Sequence, residues 1–385
     1  MSQSSRLCAG DTSYFNPNKF TFWSGVLCCF VSSILTSLAQ PVDSTILAEM
    51  RRLHIPGLSA AKIDGDKIEW SRHYGYQDLE KAIPVTRSTK FSIASLSKTV
   101  TAAAIMQLEG SGYFKLDDDI NRYLPFSVKN PNFPDLPITF RQLLRHRSSI
   151  SDNFDYLLPF WDNKYKGPDI PLDQFLKQYL AVDGKHYDKS KNFKADKPGS
   201  KFEYSNVGYA LLGYLVQAIT KTPFDRYCQQ MIFNPLGMHS ASWFLNKTDS
   251  TLLAVPYSID SLDRYQRQKH GNFPDYPAGQ LKCNVEDLAN FLICWVNDGR
   301  FNNKSVIDSN AVQSLTPMDI GLGFHTWFMY LFNTETIMYS HSGSDTGVAT
   351  YMLYDPFRKK GLVILMNGEL NDYMEWRKLI GLLYK

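Results

Sequence analysis

Cysteine is scarce in this chain, and its placement argues against a disulfide scaffold. Of six cysteines, Cys8, Cys28 and Cys29 sit near the N-terminus, leaving Cys228, Cys283 and Cys294 for the rest of the 385 residues. That set is odd and sparse. One bridge is open to it, and no pair is singled out. No Cys/His spacing resembles a zinc site, so no metal is implied. Charge of one sign is also lacking: 41 Lys and Arg face 38 Asp and Glu, a net of +3. Nothing here points to nucleic acid. Internal repeats and low-complexity linkers are missing too, which excludes a solenoid or a string of tethered modules.

Long apolar runs are limited to one. Phe20 to Ala39 carries no charge, and Ser37-Leu38-Ala39 forms a small-x-small pattern before Gln40. The run reads as a secretory signal peptide with a long leading region. Its length also suits an uncleaved single-span anchor, which needs about 20 residues. Both readings, a secreted protein or one tethered to the membrane through residues 20–39, place the rest on the extracytoplasmic side. Asn246-Lys247-Thr248 and Asn303-Lys304-Ser305 are glycosylation sequons.

What is there is a long chain, 44% hydrophobic and 14% aromatic. That is enough for a large core in one domain or two lobes. Pro41 to Arg52 suits an amphipathic helix. Ile55–Ile63 and Lys67–Tyr76, joined by Asp64-Gly65-Asp66, read as a hairpin. Helices are predicted over 91–110, Phe140–His146, Val207–Thr220, Asp287–Trp295 and Asp372–Leu383. Strands are predicted over Gly347–Tyr354 and Gly361–Asn367. Residues 153–200, rich in aromatics, Lys, Asp and Pro, read as a long lid or binding loop. Strands at both ends with helices between predict an α/β (α+β) fold: an antiparallel sheet flanked by helices, with an inserted, mostly helical lobe. The expected division is a leader over 1–39 and one folded domain over 40–385. Its sheet lobe covers about 40–90 and 276–385, its helical lobe about 91–275.

The sequence is organised around Phe91-Ser92-Ile93-Ala94-Ser95-Leu96-Ser97-Lys98 and the apolar helix that follows. On a helix, Ser95 and Lys98 share a face. A serine hydroxyl becomes a good nucleophile when a neighbouring base takes its proton. A lysine can be that base where burial disfavours its charged form. A helix N-terminus adds free N–H groups where an oxyanion would form. Ser-x-x-Lys also arises by chance, so its weight depends on company. Tyr204-Ser205-Asn206 precedes a predicted helix, and His341-Ser342-Gly343 precedes a predicted strand. Singly these are a core aromatic, a helix cap and a structural histidine. In this order they match the layout of penicillin-recognising serine hydrolases.

From about residue 45 to its end, the chain resembles the serine beta-lactamase-related superfamily. The branch is that of class C beta-lactamases, D-alanyl-D-alanine carboxypeptidases and esterases. Gly75-Tyr76-Gln77-Asp78, the run from Phe202 to Gly213, Ile232 to Met238, Ala278-Gly279-Gln280-Leu281 and Glu286-Asp287-Leu288-Ala289 carry the likeness further. The resemblance implies a serine hydrolase acting through an acyl-enzyme, with Ser95 the nucleophile and Lys98 taking or sharing its proton. It implies that Tyr204 acts as general base and as acid to the leaving group. Asn206 would orient Lys98 and bind the acyl side chain, and His341 and Gly343 belong to the substrate-binding strand. The backbone N–H groups of Ser95 and Ser344 would form the oxyanion hole. A small molecule or peptide is the implied partner; no metal or organic cofactor is.

Two departures carry expectations. His341 stands where the third motif usually has Lys, and a neutral imidazole grips a substrate carboxylate less well than an ammonium. Esters or amides without a free carboxylate are therefore expected to be preferred over beta-lactams and D-alanyl peptides. The alternatives are a D-amino-acid peptidase, carboxypeptidase or beta-lactamase, and a catalytically silent scaffold on the same fold. In Leu143-Leu144-Arg145-His146-Arg147-Ser148-Ser149, Arg147 and Ser149 replace the usual Thr and Gly. Ser149 would be strained if the backbone needs positive φ. Asp345 reads as a turn residue or as the acceptor of a cationic substrate group.

Overall fold

Gly65 takes the left-handed turn position at φ 63°, and the chain reverses there into a hairpin. The computed structural model describes residues 43–162, 169–309, 312, 325–331 and 334–384. The leader expected over 1–39, with Cys8, Cys28 and Cys29, lies outside the described residues. The hairpin pairs β1 (Gly57–Asp64) with β2 (Lys67–Asp78), and β3 (Ile83–Pro84) adds to β2. The short β4 (Phe91–Ser92) pairs with β5 (Lys282–Cys283) away from the main sheet. Then come β6 (His325–Leu331), β7 (Thr334–Asp345), β8 (Val348–Asp355) and β9 (Lys360–Met366).

The main sheet has the order β6-β7-β8-β9-β1-β2-β3 and is antiparallel throughout. Its two sources meet where β1 pairs with β9, Leu58 opposite Met366 and Ala61 opposite Val363. Leu58, Ala60, Ala61 and Ile63 are fully buried. Such a run, apolar on both faces, belongs to a strand covered on both sides.

Besides a helix over 43–52 and the short one over Phe224–Cys228, the helices are α1 (Ser97–Gly110), α2 (Phe140–Leu144), α3 (Phe154–Trp161), α4 (Leu172–Leu180), α5 (Asn206–Thr220), α6 (Val285–Val296) and α7 (Tyr373–Tyr384). Helices α6 and α7 pack on the sheet, and α5 packs on α1, α2 and α4. Val207 to Val216 is buried all round α5, as befits a helix inside a helical layer. Ser205 caps it, its Oγ accepting from the Gly208 N–H at 2.9 Å.

The 153–200 stretch is not one long loop. It contains α3 and α4, and Leu157, Phe160, Phe175, Leu176 and Tyr179 are core residues. Tyr156 packs against Phe175 and Tyr179, so the aromatic density of this stretch builds interior. Cys228, Cys283 and Cys294 are buried and free, so no bridge forms among them. Asn246 and Asn303 are exposed. Among the described residues, no helix is long and apolar enough to cross a membrane.

Candidate active site

Ser95 is presented by a tight turn rather than by the α-helix the sequence predicts. Ala94 sits at φ 46°, a conformation costing a non-glycine residue about 1–3 kcal/mol. Ala94–Leu96 form one 3₁₀ turn, and α1 starts at Ser97. In such a turn residues i and i+3 eclipse, so Ser95 and Lys98 still meet. Surrounding bonds hold the turn. Ser97 Oγ donates to the Ala94 carbonyl at 2.6 Å and accepts from the Leu281 N–H at 3.0 Å. Thr350 Oγ1, on β8, donates to the Ile93 carbonyl at 2.9 Å.

Lys98 is fully buried. Its Nζ lies 2.6 Å from the Ala278 carbonyl, 2.7 Å from Asn206 Oδ1 and 3.1 Å from Ser95 Oγ. The rings of Tyr204 and Tyr209 face it at 4.9 and 5.9 Å. Two of the three oxygen partners can only accept, so two N–H bonds are fixed. The third direction meets a hydroxyl, which can accept or donate. The same geometry therefore serves an ammonium that donates to Ser95 and a neutral amine that accepts its proton.

Asn206 is oriented by Asp152, a residue no sequence motif singles out. Asp152 Oδ2 accepts from the backbone N–H of Asn206 at 2.9 Å and from its Nδ2 at 3.0 Å. Its Oδ1 accepts from the Val207 N–H and from Ser205 Oγ, both at 3.1 Å. The carboxylate thus caps α5, where the helix dipole favours negative charge. Burial pushes the Asp152 carboxyl above its ordinary range, against the pull of these donors and of Lys98. His146 plays a similar part for Tyr204. Its Nδ1 accepts from the Ser205 N–H at 3.0 Å, and its ring stacks on Tyr204 at 4.3 Å. Ser149 has φ 63°, the left-handed conformation in which a side chain is strained. Asn130 Nδ2 donates to its Oγ at 2.8 Å.

Gly343 on β7 explains itself. A Cβ there would stand 2.5 Å from the Ile93 carbonyl oxygen and 3.0 Å from the Ser95 nitrogen. His341, two residues earlier, is 4% exposed, its Nδ1 lying 2.6 Å from the Ser342 carbonyl oxygen. A cavity of about 150 Å³ opens beside Ser95, and Asn206 and Ser344 also line it. Trp161, Phe273, Asp275 and Asp345 are also in its walls. Only Asp345 of these four stood out in the sequence. Asp275 accepts from Trp161 Nε1 at 3.2 and 3.3 Å. Burial, then the neighbouring Asp152, pushes its carboxyl up to about 7. Burial likewise raises Asp345 to about 6. Among the described residues no His, Cys, Asp and Glu group could hold a metal ion.

A sequence profile of the family described as Beta-lactamase matches residues 42–384. Protein flp of Staphylococcus aureus (strain MRSA252) is 26% identical over 328 residues, 85% of this chain but 62% of that protein. The chain thus spans less than two thirds of that relative's length. Among solved structures, EstCE1, a hydrolase with promiscuous acyltransferase activity, superposes with TM-score 0.74 at 18% identity. The match covers 91% of this chain and 99% of that one. The D-alanine carboxypeptidase AmpC from Burkholderia cenocepacia gives 0.69 at 21%, with the same coverage of 91% and 99%. At these identities the structures share the fold. With the profile matched from residue 42 to residue 384, the chain belongs to the beta-lactamase family.

Proposed function

We propose that this protein is a serine hydrolase that cleaves an ester or amide through an acyl-enzyme on Ser95. The observation that supports it most is the buried Lys98 amine, 3.1 Å from Ser95 Oγ and steered there by the Ala278 and Asn206 oxygens. In the acylation step a neutral Lys98 takes the Ser95 proton while Oγ bonds to the substrate carbonyl carbon. The carbonyl oxygen becomes an oxyanion facing the backbone N–H groups of Ser95 and Ser344. The C–O or C–N bond to the leaving group then breaks, and that group takes a proton from Tyr204. Water reverses the sequence and frees the acid. With His341 in the third motif, substrates without a free carboxylate are preferred. The uncharged Phe20–Ala39 run supports a site of action outside the cytosol.

The test assays a short-chain p-nitrophenyl ester beside a chromogenic cephalosporin, with Ser95→Ala as control and mass spectrometry of the protein. Ester turnover lost in Ser95→Ala, with an acyl adduct and little cephalosporin turnover, is the expected result. Cephalosporin turnover matching that of the ester would defeat the His341 argument. No turnover and no adduct on folded protein would leave a silent scaffold.

A further inference from the structure

The Ser95 cavity has a neighbour. A second cavity, of about 310 Å³, lies against it, and Phe273 borders both. Two short segments form the partition between them. At the end of α3, Phe160 lines the second cavity and Trp161 the first. In the stretch before β5, Tyr276 lines the second and Asp275 the first. Trp161 Nε1 donates to Asp275 at 3.2 and 3.3 Å, which ties the two segments together. Phe273 is fixed at the junction: its carbonyl oxygen accepts from Gln280 Nε2, and its ring lies over Gly279, where a Cβ would meet it at 3.4 Å.

The second cavity is apolar below and polar at its mouth. Phe160, Leu172, Pro274 and Tyr276 are buried in its floor, while Asp169, Asp173 and Asn272 are exposed. The polar groups already have partners. Asn272 donates to Asp169 at 2.8 Å, and Lys247 pairs with Asp225 at 2.8 Å. Asp173 stands in the first turn of α4, where a helix favours negative charge. The mouth therefore needs no charged ligand, whereas the floor gains from an apolar one. An apolar cavity of about 150 Å³ holds a benzene ring, so this one has room for a chain of about ten carbons.

We infer that the second cavity receives the apolar acyl chain, about eight to twelve carbons long, of an ester whose carbonyl sits at Ser95, with Phe273 at the point where the chain crosses. The inference deepens the acyl-enzyme reading and rests on it for the position of the carbonyl. Ser95, Asn206 and Phe273 line one cavity, so a chain leaving the carbonyl meets an aromatic ring first and the apolar floor next. Each methylene it withdraws from water there favours binding. A short chain ends in the first cavity and gains none of this.

The experiment compares p-nitrophenyl butanoate with p-nitrophenyl decanoate, the longer ester kept below its aggregation threshold. Turnover and adduct mass are read on the unaltered protein and on two variants that fill the second cavity, Leu172→Phe and Gln217→Trp; Gln217 also lines it, from α5. In the unaltered protein kcat/KM for the decanoate should exceed that for the butanoate at least tenfold. The ratio should fall to threefold or less in each variant that thermal melts show to be folded. Calorimetry on Ser95→Ala, which forms no acyl-enzyme, compares N-methyldecanamide with N-methylbutanamide. The longer amide should bind at least tenfold more tightly, and lose that margin when either filling substitution is added. A smaller preference in the unaltered protein, or one above threefold in a folded filled variant, overturns the inference and leaves the acyl-enzyme reading standing. Absence of an adduct from either ester overturns the acyl-enzyme reading, while the calorimetry still decides whether the second cavity takes the chain.

Discussion

Asp152 holds Asn206 at two points, accepting from its backbone N–H at 2.9 Å and from its side-chain Nδ2 at 3.0 Å. With the amide nitrogen engaged there, Oδ1 must face Lys98, 2.7 Å away. Asp152 thus acts on Ser95 through Asn206 and Lys98, as a positioning residue. In Asp152→Asn at least one of these N–H donors meets an amide N–H instead of an acceptor. We expect kcat for a p-nitrophenyl ester to fall by about tenfold or more, with KM changed by less than threefold. A cost of about 1–3 kcal/mol in stability should accompany it. Steady-state kinetics at saturating ester, with urea unfolding, check both. A rise in KM alone would place Asp152 in substrate binding instead.

Gly343 sets how closely β7 approaches the Ser95 turn. A methyl group there would overlap the Ile93 carbonyl oxygen, 2.5 Å away, and crowd the Ser95 nitrogen at 3.0 Å. Thr350 Oγ1 would stand nearer still, but the Ile93 and Ser95 atoms are backbone, so relief requires moving the strand. Gly343→Ala should lose at least a hundredfold in ester turnover, because the proposed oxyanion donors of Ser95 and Ser344 would no longer converge. Overpacking of this kind costs about 1–3 kcal/mol. Acyl-adduct formation followed by mass spectrometry reads the catalytic loss, and a thermal melt reads the rest.

The hairpin, the C-terminal strands and the apolar α5 are legible because period, turn residues and length agree there. Ser95, Lys98 and Asn206 are legible because two of them share one turn and the third opens a helix. The parts played by Asp152, His146, Ala278 and Asp275 are not, since their residue types are common and their spacing carries no period. Ala278 contributes only a carbonyl oxygen, which any residue has. The misreading of 153–200 has a different cause. Leu172, Phe175, Leu176, Tyr179 and Leu180 do carry a helical stripe, but the surrounding Lys, Asp and Pro mask it. The turn before Ser95 is hidden for a third reason: nothing about an alanine announces φ 46°.

Asp275 and Lys282 should give stability opposite pH slopes. An acid raised in the folded state to about 7, from about 4 when unfolded, binds more protons folded than unfolded. Stability then falls as pH rises from about 4 to 7. Lys282, depressed by burial to about 7 with Asp345 opposing, binds fewer protons folded than unfolded. Its contribution therefore rises with pH from about 7 to 10. Asp275→Asn should raise Tm relative to the unaltered protein at pH 8 and change it little at pH 4. Lys282→Met should raise Tm most at pH 6, where the buried ammonium is fully charged. Melts across pH 4–10 test both, and parallel curves for variant and parent would refute the assignment.

The proposed preference against carboxylate-bearing substrates rests on His341. It lies on β7, 4% exposed, two residues before the glycine that packs on the Ser95 turn. A lysine at this position would bring a permanent ammonium to the strand where the wider family usually carries one. Its stem is flexible and its head is a compact cation, so it can reach a carboxylate that a neutral imidazole holds weakly. In His341→Lys the ratio of kcat/KM for a chromogenic cephalosporin to that for a neutral p-nitrophenyl ester should rise by about tenfold. If the substitution leaves the ratio unchanged, the charge at residue 341 does not govern selectivity.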